Sequence, residues 1–276
     1  MTRPTRIMMY SQDSYGLGHL RRATNLANAL VTQHPNLSVL LVVDSPVAPF
    51  FDLRNHIDFV KLPTVVKVDA GVFRASQLLT GYSLVRAMRA NVIREVVRRF
   101  RPDVMLVDHM PGGANRDLIP ALKLIRPLGY ATKVVLGVRD IIDNPMVTRA
   151  MWKREGFYDT LKRYYDHVLI YGSDDVFSTA EEYGIRDAMG DRVEYCGYVC
   201  NMDPVKDYQT IRAKMRAHNG QPLIAVMAGG GADGYQLMQT FLNALPMVNS
   251  AARVATMMVT DRLMPDAQRQ ALRQQA

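Results

Sequence analysis

Cysteine is nearly missing from this chain: Cys196 and Cys200 are the two in 276 residues. No second pair or nearby histidine completes a zinc ligand set, so two reduced thiols of a cytosolic protein are the expectation. Long apolar runs are missing too, and no stretch approaches the roughly 20 residues of a membrane span. The apolar part of the opening MTRPTRIMMYSQD is too short for the core of a signal peptide and reads as a first strand. Ser11, Ser14 and Ser173 lack a G-x-S-x-G setting, which argues against a serine hydrolase. His34, His56, His167 and His218 show no metal-ligand spacing. No fine repeat or low-complexity tract interrupts the chain.

What is present is globular. Hydrophobic residues make up 48% and charged residues 22%, and the length can bury a substantial core in two domains or one large one. The net charge is +8, with arginines concentrated at Arg86, Arg89, Arg94, Arg98, Arg99 and Arg101. That segment is helical by period, with Val85, Met88, Val92, Val96 and Val97 as its apolar positions. A solvated helix face is the plain reading of those arginines. Attraction to phosphates, of a nucleotide-linked substrate or of anionic lipid heads, is the functional one. No aromatic-interleaved basic patch accompanies the charge, so nucleic acid is not expected as a partner.

Strands and helices alternate. Strand-like runs are Ile7–Tyr10, Val39–Val43, Phe59–Leu62, Val104–Val107, Val134–Leu136, Val168–Tyr171 and Val193–Tyr195. Helical stretches are Leu20–Gln33, Leu84–Arg99, Asp117–Leu128, Thr148–Arg163 and Val176–Tyr183. Continuous apolar strands such as SVLLVVD and DVMLVD imply cover on both faces, hence an α/β fold with a parallel sheet. After the polar stretch NMDPVKDYQTIRAKMRAHNGQP, a second strand–glycine loop–helix unit follows. The expected architecture is therefore two Rossmann-like lobes, residues 1–200 and residues 201–276. The second has room for about two βα units and reads as truncated, since one βαβ unit takes about 30 residues.

The loop before the first helix ends Gly16-Leu17-Gly18-His19, and Leu20, Ala23, Leu26, Ala27 and Leu30 then share one helix face. Glycines let backbone approach a ligand, a helix N-terminus offers N–H groups to an anion, and a histidine there is a candidate base. Asp108 closes the strand DVMLVD on the same sheet edge. It can orient His19 or simply cap the next turn; His109 is a weaker rival for the base. Arg139 closes KVVLGVRD, as a phosphate or carboxylate ligand or as the ion-pair partner of Asp140. Gly229-Gly230-Gly231-Ala232-Asp233-Gly234 fits G-x-G-x-x-G after a strand, with Asp261 at the end of the next strand. That leaves a nicotinamide-dependent oxidoreductase open beside any diphosphate binder, or a tight turn without a ligand.

GLGHLRR, as G-x-G-H-x-x-R, resembles the glycosyltransferases of the GT-B fold, specifically family 28, which includes the peptidoglycan N-acetylglucosaminyltransferase. LGVRDIIDNPMVTRAMW, YGSDDVFSTAEEYGI, CGYV, MAGGGADGYQLMQTFLNAL and MMVTDRLMP look like a related group of bacterial glycosyltransferases, so the resemblance spans most of the chain. It implies a hexosyltransferase with an N-terminal acceptor lobe and a partial C-terminal donor lobe. His19 matches the histidine near acceptor and sugar, and Gly16, Gly18, Gly229, Gly230 and Gly231 match loops at the donor diphosphate. The implied donor is a nucleotide sugar carrying UDP. Transfer is inverting and calls for no metal or cofactor. The acceptor is unassigned; the family's lipid-linked acceptors and the arginine helix suggest a cytoplasmic protein with peripheral contact at the inner membrane face. Two departures stand out. The family's Gly-rich segment and ribose-binding glutamate are not in the chain, and Asp261 stands where the group tends to have glycine. A nucleotide-sugar hydrolase of pseudaminic acid synthesis is similar at GLGHLRR and shares the fold, and a non-catalytic remnant is a further alternative.

Overall fold

A computed structural model describes residues 3–13, 17–69, 72–201, 207–215, 221–228, 234–260 and 264–276. Two compact units are distinguished, residues 3–13 with 19–200 and residues 17–18 with 201–276.

The first unit contains, in order, β1 (Thr5–Ser11), α1 (Gly18–Gln33), β2 (Leu37–Val43), β3 (Ile57–Lys61), β4 (Val65–Asp69), β5 (Val72–Ala75) and α2 (Tyr82–Phe100). Then come β6 (Val104–Asp108), α3 (Ile119–Ile125), β7 (Lys133–Arg139), α4 (Pro145–Glu155), α5 (Phe157–Tyr164), β8 (His167–Tyr171), α6 (Thr179–Glu182), α7 (Ile185–Met189) and β9 (Val193–Tyr195). Seven strands form a sheet in the order β3-β2-β1-β6-β7-β8-β9, parallel throughout. The chain builds outward from β1 to β3, then returns to β6 on the other side of β1. The carboxyl ends of β1 and β6 thus flank the topological switch point, where open α/β sheets bind ligands.

Strand pleating explains the continuous apolar runs. Along β1, Ile7 and Met9 pack with Leu20, Ala23 and Ala27 of α1, while Met8 and Tyr10 face the opposite layer with Ile93 and Val97 of α2 and Leu122 of α3. Each of the Ile, Leu, Val and Met side chains among them contributes about 1.5–3 kcal/mol when fully buried.

Three sequence expectations are corrected. The buried face of α2 is Val85, Arg89, Ile93 and Val97, spaced by fours, whereas Met88 and Val92 are 42% and 37% exposed. The helix expected over 148–163 is two helices, broken where Gly156 takes φ 70°. The stretch 176–183 carries the short α6, with α7 beyond it. The antiparallel pair β4–β5 was not anticipated.

The second unit holds α8 (Tyr208–Lys214), β10 (Leu223–Met227), α9 (Tyr235–Ala251), β11 (Ala255–Val259) and α10 (Asp266–Gln275). β10 and β11 pair in parallel, and Val226, Met238, Leu242, Met264 and Leu272 form their own core. Among the described residues no helix is long and apolar enough to cross a membrane.

Candidate functional site

The loop leaving β1 turns its first carboxylate onto the next helix. Asp13 accepts from the backbone N–H groups of His19 (3.1 Å) and Leu20 (2.7 Å), covering two donors that a helix start leaves open. Asp13 is itself fixed by its own N–H, which donates to Asp44 Oδ1 at 2.9 Å. Burial pushes the Asp13 carboxyl up to about 6, against the opposing pull of His19 and the two N–H groups.

Behind Asp44 lies a fully buried cluster. Arg89, 1% exposed, donates from Nη1 to Asp44 Oδ2 (3.1 Å) and the Pro63 carbonyl (2.8 Å), and from Nε to Asp117 Oδ2 (2.7 Å). The Tyr10 hydroxyl donates to Asp117 Oδ1 (3.1 Å) and accepts from the Ala114 N–H (3.1 Å). Burial raises both carboxyls above their ordinary range and Arg89 opposes it; burial works against the Arg89 charge, yet Tyr10, Asp117 and Asp44 hold it more firmly protonated. The arginine expected on a solvated face is therefore a core residue.

At the sheet edge the second carboxylate meets the histidine. His19 Nδ1 lies 2.6 Å from Asp108 Oδ2, with His19 29% and Asp108 8% exposed. A proton on Nδ1 makes that contact a hydrogen bond and leaves Nε2 as the lone-pair nitrogen, the tautomer a base needs. Arg22, one turn along α1, donates from Nη2 to both Asp108 oxygens (2.9 Å each) and from Nε to Oδ1 (3.2 Å). Burial pushes the Asp108 carboxyl up, but the hydrogen bond and charge of His19 and the charge of Arg22 hold it below its ordinary value. The Asp108 side chain thus engages His19 and Arg22, while its backbone carbonyl accepts from the Met110 N–H.

Two more side chains complete the edge. The Arg22 guanidinium lies 5.3 Å over the Tyr171 ring. Tyr171 sits where β7 has no side chain: a Cβ on Gly137 would come within 2.0 Å of its hydroxyl oxygen. His109 adopts φ 68°, donates its N–H to the Gly137 carbonyl (2.8 Å) and holds its ring 5.5 Å from that of His19. Its Nδ1 is buried without a partner. Burial, then the charge of His19, pushes the His109 imidazole down to about 3, so it is a poor proton acceptor and no rival to His19.

The remaining candidates are placed as follows. Gly18 is the first residue of α1, with open space where a Cβ would project. Arg139 is exposed and donates to the Ile142 carbonyl (3.1 Å), and Asp140 engages the Tyr198 hydroxyl, so the two do not form the expected ion pair. Gly16, Gly229, Gly230, Gly231 and Asp261 lie outside the described residues. In the same glycine run, Gly234 precedes α9, and a Cβ there would come within 2.7 Å of the Ala228 Cβ, so the glycine permits close packing. Among the described residues no cluster of His, Cys, Asp or Glu could hold a metal ion. Sequence reading missed Asp13, Arg22, Tyr171 and Gly137. Arg22 alone carried a signal, as the last position of G-x-G-H-x-x-R.

No protein-family profile and no curated protein matches this chain. Solved structures do. A glycosyltransferase from Rickettsia africae ESF-5 matches with TM-score 0.59 at 12% identity, over 99% of this chain and 65% of that one. A ugt transferase from Siraitia grosvenorii, solved in complex with UDP, matches with TM-score 0.55 at 11% identity, over 96% and 66%. The UDP-GlcNAc 2-epimerase from Methanocaldococcus jannaschii matches with TM-score 0.58 at 10% identity, over 98% and 68%. This chain thus spans somewhat less than two thirds of the length of the two transferases. At such identities the likeness is one of fold, and the fold of this chain is the Rossmann-like GT-B type that glycosyltransferases and UDP-GlcNAc 2-epimerases share.

Proposed function

We propose that this protein is a GT-B glycosyltransferase of the family 28 kind, moving a sugar from a UDP-sugar to an acceptor hydroxyl with inversion. The observation that carries the reading is the 2.6 Å contact between His19 Nδ1 and Asp108 at the switch point of the parallel sheet. His19 Nε2 takes the acceptor proton as the acceptor oxygen attacks the anomeric carbon, and the nucleoside diphosphate leaves from the opposite face. Asp108 holds the Nδ1 tautomer and orients the ring. Gly16 and Gly18, with Gly229, Gly230 and Gly231, are the assigned diphosphate loops, and Arg139 is a further candidate anion ligand. In this reading residues 1–200 carry the acceptor side and residues 201–276 the donor side.

The test is calorimetric titration with UDP, UDP-N-acetylglucosamine and NADH, followed by acceptor screening. Binding of UDP and the UDP-sugar supports the transferase; binding of NADH alone replaces it with an oxidoreductase. Free sugar released without an acceptor favours a nucleotide-sugar hydrolase, and interconversion of two UDP-sugars favours an epimerase, the other activity named among proteins of this fold. The same reading implies a cytoplasmic protein touching an anionic membrane surface to reach a lipid-linked acceptor. Exposed Leu84, Met88 and Val92 form a row on α2, a helix that also exposes Arg86 and Arg94 on other faces. Cosedimentation with anionic vesicles, lost on Leu84→Ser with Met88→Ser, tests that contact.

A further inference from the structure

His19 and Asp108 are not alone, and the third member of their cluster has a chemical consequence. A carboxylate facing an imidazole orients it, but also favours the imidazolium, which is useless as a base. We propose that Arg22 is the positioning residue of this pair: it neutralises Asp108, so the carboxylate fixes the His19 ring and tautomer without drawing the ring into its cationic form. The inference rests on the reading of His19 as the base.

The geometry is that of a shared acceptor. Arg22 stands three residues after His19, so both project from one face of α1. Its Nη2 approaches Asp108 Oδ2 at 2.9 Å, the same oxygen that His19 Nδ1 approaches at 2.6 Å, and Nη2 and Nδ1 are 3.0 Å apart. A guanidinium is donor-only. If Nδ1 carried a lone pair it would face the carboxylate oxygen at 2.6 Å, lone pair against lone pair. With a proton on Nδ1, both donors converge on one oxygen, and the contact between Nη2 and Nδ1 is simple proximity. Arg22 therefore does not compete for the imidazole; it shares the carboxylate and cancels its charge.

The rest of the surroundings fit this role. Among the described residues, the charged and titratable groups around His19 are Asp13 before α1, Arg22 on α1, Asp108 at the end of β6 and His109 just after it. His109 is neutral, and Asp13 is occupied by the backbone donors of His19 and Leu20. Arg22 is thus the fixed cation beside the imidazole. It is held by three adjacent strands: Asp108 ends β6, the Tyr171 ring ends β8, and Gly137 on β7 leaves the space Tyr171 occupies. Lysine, a point charge without a planar fork, cannot reproduce contacts from Nε and Nη2 together.

The experiment is ¹⁵N–¹H NMR of the histidine rings in the full chain, wild type against Arg22→Met, Arg22→Gln and Arg22→Lys, with folding checked by amide spectra and UDP binding by calorimetry. In the wild type His19 shows its proton on Nδ1, in a downfield, exchange-protected signal. Arg22→Met moves its titration midpoint up by about one pH unit or more, a tenfold gain in proton affinity. Arg22→Gln, which keeps size and a hydrogen bond without charge, does the same and stands in should the methionine variant not fold. Arg22→Lys keeps the midpoint near wild type but weakens the downfield signal. The acid limb of any transfer or hydrolysis rate profile follows the midpoint. Folded Met and Gln variants with unmoved midpoints overturn the proposal. A wild-type chain that binds no UDP sinks the nucleotide-sugar reading while leaving the titration result standing, so the two failures are distinguishable.

Discussion

Two clusters in the first unit are built from the same parts and do different things. Around Arg89, a guanidinium lies between Asp44 and Asp117, all three within 1% of complete burial, and every strong donor finds a partner. Around Arg22, a guanidinium grips one carboxylate beside a histidine, and the cluster opens to solvent through the His19 ring, 29% exposed. The first has no group left to offer a ligand, while the second leaves Nε2. Full satisfaction under burial makes a fold element; partial satisfaction at a sheet edge makes a reactive one. Asp13 ties them together, with its N–H on Asp44 and its carboxylate on the start of α1.

The largest expected effect breaks the inner cluster. Arg89→Met leaves two buried carboxyls without their cation and costs about 3–5 kcal/mol, read by chemical denaturation. A loss under about 1 kcal/mol would mean that burial there is far less complete. Next in size, His19→Ala reduces turnover about 10²–10⁴-fold with little change in unfolding free energy. Equal loss of folding and activity would place His19 with Arg89 rather than opposite it.

Gly137→Ala sharpens the outer cluster. The added methyl meets the Tyr171 hydroxyl at 2.0 Å, so the ring must move. Overpacking of this kind costs about 1–3 kcal/mol. Because Arg22 covers that ring, the Nδ1 proton signal of His19 should shift as well; a stability loss without that shift would cut Tyr171 out of the cluster.

The smallest net effect is on pH dependence, where two groups act in opposite directions over overlapping ranges. The unfolded chain protonates His109 below its ordinary 6.5, while the folded chain resists down to about 3. The unfolded state therefore binds more protons in that window, and stability falls as pH falls through it, by at most about 1.4 kcal/mol per unit. Asp13 works with the opposite sign. Its folded carboxyl holds a proton from the ordinary 3.8 up to about 6, so its contribution is present at low pH and lost as pH rises through that range. Denaturation of His109→Gln between pH 4.5 and 7.5 should show the acid-side loss reduced; an unchanged slope would mean the ring charges freely in the folded protein.

Part of this was legible in residue order. The strands followed from continuous apolar runs, and the glycine loop before His19 followed from local chemistry. Other local signals lie in the same residue order. Gly156 announces the break between α4 and α5, and Val65-Val66-Lys67-Val68 before and Val72-Phe73 after Asp69-Ala70-Gly71 announce the β4–β5 pair. Arg89 is different in kind. An arginine at a helix position reads as solvated, and nothing adjacent says otherwise, because Asp117 and Asp44 lie 28 and 45 residues away. Residues from Asp108 to Gly113 read as one motif, yet the structure divides it. Asp108 serves the edge, whereas a Cβ on Gly113, φ 71°, would come 2.3 Å from an Asp117 oxygen at the buried cluster.

The sequence by itself determined the α/β class, the parallel sheet and the histidine at a glycine-loop helix start, because period, apolar runs and turn residues act over a few neighbours. Tertiary structure decided which arginine is core and which grips the site, and which of two histidines keeps the usable nitrogen. Those outcomes depend on burial and on charge partners brought from distant strands, with Arg22 and Asp108 separated by 86 residues in the chain and 2.9 Å in space.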